Sequence, residues 1–184
     1  MRFTGTVKSF VSARVRTVVC NAAVCGVAVA AAVSVSTVAT GAAAGAPTEP
    51  APATSGLDPA LAVSYTLASN EARAQGVPLW ITSGKRSDAQ QRQLWRDAIA
   101  AYGSPEAARR WVLPAEESPH VRGDAVDVGP REGASWLEAN GNRWGLCRTF
   151  MNEWWHFELA TTPGTPCPPM WPDAAVRADR LARH

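Results

Sequence analysis

From Asp58 onward, apolar side chains recur at helical spacing, with Leu61, Tyr65, Ala68 and Ala72 on one face. The aspartate suits an N-cap, Pro59 the first helical position, and Gly76 ends the run. Residues 77–82 (VPLWIT) are short, apolar and β-prone, which predicts a strand stopping at Ser83-Gly84. Ser87 with Gln90 three positions on is a capping-box pattern. Gln91, Leu94, Trp95, Ala98 and Tyr102 then give a mainly apolar helix face, closed by Gly103. A brief helix from Ser104-Pro105 to Trp111 and a loop over 114–119 lead to a strand over 125–128. A short helix over 134–140, stopped by Gly141, precedes two strands, 144–147 and 154–159, read as a hairpin. After Thr162 a Pro-rich surface stretch leads to a frayed terminal helix over 173–183. Strands are few and short and do not alternate regularly with helices. The fold class expected is therefore α+β, a small antiparallel sheet with flanking helices.

The N-terminal pattern is different. Arg2, Lys8, Arg14 and Arg16 precede an apolar run from Val18 to about Val38 and a small-residue tract, Gly41 to Ala46. This reads as an export signal over 1–44, cleaved after Ala44. The apolar run is also long enough to span a bilayer, so a retained anchor is the alternative, and only then would the protein meet a membrane. Residues 45–56 are Pro/Ala-rich and read as a linker. A domain over 57–171 and a tail over 172–184 remain, expected as an exported monomer at the cell wall.

Composition changes the picture in two ways. The chain carries a formal +2, but its first 44 residues hold four basic and no acidic groups, so the remainder is net acidic. No Gly-rich phosphate loop is present and basic residues do not interleave with aromatics, which removes nucleotide and nucleic-acid partners. Two cysteines remain after the export segment, Cys147 and Cys167. In an exported protein the default is a disulfide, stabilising by roughly 3 kcal/mol through loop entropy.

The candidate chemistry lies in His120, Asp127 and His156, with Glu153 three residues before the last histidine. Two imidazoles and a carboxylate are the protein ligands of a catalytic zinc, and a further carboxylate could deprotonate water. A turn at Gly123 would let His120, on a loop, and Asp127, on a strand, converge. Asp127 lies between two valines, so it points away from the apolar face and needs a partner; an arginine, Arg122 or Arg148, would serve equally well. In a strand, Trp154, His156 and Glu158 share one face and Trp155, Phe157 and Leu159 the other. The second set is wholly apolar and should be core. Glu153 has the wrong parity for the site unless the chain bends near Asn152; otherwise it is an exposed strand-end charge.

His120-x-x-Gly123-x-Ala125-x-Asp127, preceded by Ser118, and Glu153-x-Trp155-His156 together resemble the zinc DD-peptidase family of bacterial cell-wall enzymes, the VanX/VanY type. Upstream, Ser83-Gly-Lys-Arg-Ser87 with Gln91 is similar to that family's Ser-Gly-aromatic-Arg-Ser segment, with Lys85 where the aromatic usually stands. The resemblance spans about residues 59–160. It implies zinc held by His120, Asp127 and His156, Glu153 as general base, and Arg86 stabilising the developing oxyanion. Ser118 and Gln91 become candidates for hydrogen bonds to substrate or to the site. The implied substrate is the peptidoglycan stem peptide, cut at its D-Ala-D-Ala end by a carboxypeptidase. Alternatives are a D-Ala-D-Ala dipeptidase or L-Ala-D-Glu endopeptidase of the same family, or a non-catalytic zinc-stabilised wall-binding module.

Overall fold

The computed structural model describes residues 53–183. The expected export segment and most of the linker lie outside these residues, as does His184. Residues 53–56 form a turn, and the Asp58 N–H donates to the Gly123 carbonyl at 2.9 Å. Among the described residues no helix is long and apolar enough to cross a membrane.

Helix α1 (Pro59–Ala74) starts as its sequence dictates, with the Asp58 carboxylate accepting from the N–H groups of Ala60 and Leu61. Its buried residues are Leu61, Tyr65, Ala68 and Ala72. Strand β1 (Trp80–Ser83) follows, then α2 (Asp88–Tyr102), whose capping box between Ser87 and Gln90 is formed in both directions. Only Gln91 and Ala98 of the expected α2 face are buried. Leu94 instead lines a cleft, and Tyr102 stacks on Trp111 with ring centroids 6.0 Å apart. Single turns α3 (Pro105–Ala108) and α4 (Pro119–Arg122) come next. His120 thus sits on a helical turn, where the sequence suggested loop.

The remaining elements are β2 (Ala125–Gly129), α5 (Arg131–Asn140), a 3-10 turn (Gly141–Trp144), β3 (Leu146–Arg148), β4 (His156–Leu159) and α6 (Ala174–Leu181). The strands form one antiparallel sheet in the order β1-β2-β4-β3. The expected hairpin is β3 with β4, and the Cys147–Cys167 disulfide ties β3 to the Pro-rich stretch.

One sheet face is covered by α1 and α5, where Leu61, Tyr65, Val126, Val128, Leu137 and Phe157 form the core. Fully burying one such side chain contributes about 1.5–3 kcal/mol. Because side chains alternate along β2, Val126 and Val128 in the core aim Asp127 at the opposite face. A second cluster of Leu113, Phe150 and Ala174 fastens α6 beside that face. The site sits between them.

Candidate active site

Strand pairing places the first components. Asp127 of β2 is paired in register with His156 of β4 on one side and with Ser83 of β1 on the other, so three polar residues form a row across the sheet. His120 reaches the row from α4, where the chain is reversed by Gly123 at a φ of 88°.

Three donor atoms meet at this point. His120 Nε2 lies 3.3 Å from His156 Nδ1, and each is 3.2 Å from Asp127 Oδ1. The outer ring nitrogens are engaged elsewhere: His120 Nδ1 with the Gly84 carbonyl at 2.9 Å, and His156 Nε2 with Glu158 Oε1 at 2.8 Å. Those outer nitrogens face acceptors only, so they carry the ring protons and donate. The inner atoms then present lone pairs to one another, an arrangement that needs a proton or a cation between them. A tetrahedral zinc with ligands at about 2.0–2.1 Å has edges of about 3.3 Å, so the triangle fits the ion. All three residues are buried.

The electrostatics agree. Burial alone would raise Asp127, but hydrogen bonds and charge from His120 and His156 prevail and hold it well below the usual carboxylate range. Burial alone would lower His156, yet its bonds to Asp127 and Glu158 push it up to about 9. In the absence of metal, a proton takes the cation's place.

Glu153 is poised beside this triangle, its Oε2 3.8 Å from His156 Nδ1. Burial raises it to about 7, with the His156 charge opposing. A carboxyl group at that value can both take up and give up a proton near neutrality. The bend it requires is present, because β4 begins only at His156 and residues 151–155 form bends and turns. The strand parity expected for both tryptophans therefore fails: Trp155 lines the cleft and Trp154 packs against the core. Leu159, expected in the core, is 37% exposed at the strand end. Arg148 holds the bend, donating to the carbonyls of Phe150, Met151 and Glu153.

Arg86 is the partner Asp127 needed. Its Nη2 donates to Asp127 Oδ2 at 2.5 Å, Nη1 to Gln91 Oε1 at 3.2 Å and Nε to Ser83 Oγ at 2.9 Å. Arg122 pairs with Asp124 and Arg148 with Glu138, so neither serves Asp127. Gln91 is buried and also donates to the Leu113 carbonyl at 2.8 Å. Ser118 is buried at the start of α4 without capping it by its side chain, and lines the cavity. That cavity, about 190 Å³, is bounded by the triangle, Glu153, Arg86, Trp111 and Trp155.

Sequence reading missed Glu158 and Arg177 as parts of this site. Glu158 shares strand parity with His156, a signal that was available. Arg177 approaches from α6, and nothing local in the chain announces it.

The sequence profile of the VanY family, D-alanyl-D-alanine carboxypeptidase, matches residues 54–161. Among solved structures, a vancomycin-resistance D,D-pentapeptidase VanY mutant in complex with Zn(II) is similar at 22% identity and a TM-score of 0.52, over 70% of this chain and 79% of that one. VanYB in complex with D-alanine-D-alanine is similar at 21% identity and a TM-score of 0.53, over 69% and 77%. No curated protein sequence matches. The two structural likenesses establish a shared α+β fold.

Proposed function

The chain belongs to the VanY D-alanyl-D-alanine carboxypeptidase family, and from that premise we propose that it removes the terminal D-alanine from peptidoglycan stem peptides with the help of a zinc ion. His120 Nε2, Asp127 Oδ1 and His156 Nδ1 would hold the ion. The observation that carries this reading is the triangle of inward lone pairs with 3.2–3.3 Å sides. When bound, zinc supplies a Lewis acid that polarises a peptide carbonyl and acidifies water.

The protein's own groups do the rest. Glu153, buried beside the triangle, takes the proton from the attacking water at its carboxylate and returns it to the leaving amine. Arg86 spends three of its N–H donors on Ser83, Gln91 and Asp127. A guanidinium has five, so one on each Nη is left to meet negative charge developing on the substrate. Ser118 offers a hydroxyl from the cavity wall.

The N-terminal signal pattern supports secretion to the cell wall, and the Cys147–Cys167 disulfide fits an oxidising compartment. The deciding experiment incubates the zinc-loaded protein with a D-Ala-D-Ala-terminated stem pentapeptide and weighs the products. Loss of one alanine is expected. Release of the intact dipeptide, a cut between L-Ala and D-Glu, or an unchanged pentapeptide would each reject the carboxypeptidase.

A further inference from the structure

Behind His156, on the side away from Asp127, stands a second charged group that the chemistry above does not use. Glu158 Oε1 receives the Nε2–H of His156 at 2.8 Å, and both Glu158 oxygens accept from Arg177 Nη1 at 2.7 and 2.8 Å. The side chains are 14% and 12% exposed, so neither is a surface charge. Phe150 fills the angle between them: the Arg177 guanidinium lies 4.8 Å over its ring, and the ring is 5.0 Å from the imidazole of His156.

Arg177 is itself held from several directions. It rides on α6, whose first turn is capped by Asp173 Oδ1 accepting from the Val176 N–H at 3.0 Å. The other oxygen of Asp173 accepts from Arg110 Nε at 2.9 Å, and Arg109 pairs with Asp179 on the same helix. Ala174 of α6 forms part of the cavity wall. The C-terminal segment, which the sequence presents as a frayed tail, is docked against the site.

An imidazole can offer either nitrogen to a metal, and the hydrogen bond made by the other decides which. Resting on the zinc reading above, we infer that Glu158, clamped by Arg177, is a positioning residue for His156: it fixes the ring so that Nδ1 faces Asp127 and His120, and it makes the C-terminal helix part of the metal site. Arg177 keeps the carboxylate from turning away and offsets the cost of burying it. Without that clamp the His156 ring is free to swing about its χ2 torsion, and the triangle loses one corner.

The test measures metal binding directly, on the full chain, so that turnover is not the only readout. Zinc affinity is taken by competition with a chromophoric chelator, and Co2+ absorption reports ligand geometry. Glu158→Gln keeps shape and loses charge; it is expected to weaken zinc binding about 10- to 100-fold and to alter the Co2+ spectrum. Arg177→Met is expected to weaken it in the same direction, and the double variant to add little to the worse single change. Arg177→Lys should recover part of the loss. If Arg177→Met does not fold, Glu158→Ala, which removes the acceptor that glutamine retains, decides with Glu158→Gln. A zinc affinity within twofold of the parent and an unchanged Co2+ spectrum in Glu158→Ala would overturn the positioning role while leaving the zinc reading standing. A parent protein that binds neither metal would remove both.

Discussion

Asp127 divides its carboxylate between two tasks: Oδ2 accepts from Arg86 Nη2 at 2.5 Å, while Oδ1 faces His156 Nδ1 at 3.2 Å. The guanidinium therefore fixes the rotation of the carboxylate, and that rotation decides whether Oδ1 points at the imidazoles. Arg86 is in turn held by Ser83 and Gln91, so the orientation of one metal-facing oxygen is traced back to β1 and α2.

From this relationship, Arg86→Lys is not a conservative change, because an ammonium cannot reproduce the planar fork that spans Ser83, Gln91 and Asp127. Zinc affinity is expected to fall about 10- to 100-fold. Turnover should fall further, as the donors left for the substrate are lost too. Chelator competition measures the first and the ratio of kcat to KM the second. Unchanged zinc affinity in the lysine variant would free Asp127 from any dependence on Arg86.

Glu153 should separate binding from chemistry. It lies beside the triangle without being one of its corners. Glu153→Gln is expected to hold zinc within about twofold of the parent, while turnover of the pentapeptide falls by about 10²- to 10⁴-fold, the usual worth of a positioned acid–base group. Loss of zinc together with activity would make Glu153 a ligand instead.

The parts of this site that could be read from the chain are those carried by local pattern. Alternation at Val126-Asp127-Val128 says that the carboxylate leaves the core, and the Asp58 cap and the four buried positions of α1 follow from spacing alone. Parity failed at Trp154 and Trp155 because β4 is shorter than its apolar composition suggests. A turn there reverses which tryptophan meets the cleft, and the same turn is what admits Glu153. Partners set by tertiary packing were illegible: Arg86 for Asp127, Arg148 for the bend, Arg177 for Glu158. An arginine's reach is long, and charge alone does not choose among the candidates.

Removing metal should make stability fall as the solution becomes alkaline. The value for His156, about 9, lies above the ordinary 6.5. Its stabilising contribution is therefore complete below pH 6.5 and is lost as pH rises through about 9. Glu153, about 7 against 4.5, acts in the same sense between those limits. Glu158, held at about 2, works the other way: its contribution is present above pH 4.5 and lost as pH falls through about 2. Chelator-treated protein is thus expected to melt at a higher temperature near pH 5.5 than at pH 9. Zinc affinity should climb over the same alkaline window, because binding must displace the His156 proton. Calorimetry in buffers of different ionisation enthalpy should show that proton leaving. A melting temperature that rises from pH 5.5 to 9 without metal would contradict the assignment.

Two glycines with nearly the same backbone geometry provide a controlled comparison. Gly123 and Gly103 have φ of 88° and 83°, so alanine at either is strained by roughly 1–2 kcal/mol. Their surroundings differ. A Cβ on Gly103 meets nothing within 4 Å, whereas one on Gly123 falls 2.6 Å from the Gly56 carbonyl oxygen and 3.2 Å from the Asp58 nitrogen. Backbone atoms cannot yield as a side chain does, so Gly123→Ala adds an overpacking cost of about 1–3 kcal/mol to the strain. The clash also falls in the turn joining His120 to Asp127, so the variant should lose zinc affinity as well as stability. Gly103→Ala, at the far end of α2, should lose only stability. Urea denaturation of both variants, with zinc titration of each, reads the two effects separately. Equal destabilisation, or a Gly123→Ala protein with parental zinc affinity, would mean that the turn does not set the distance between histidine and aspartate.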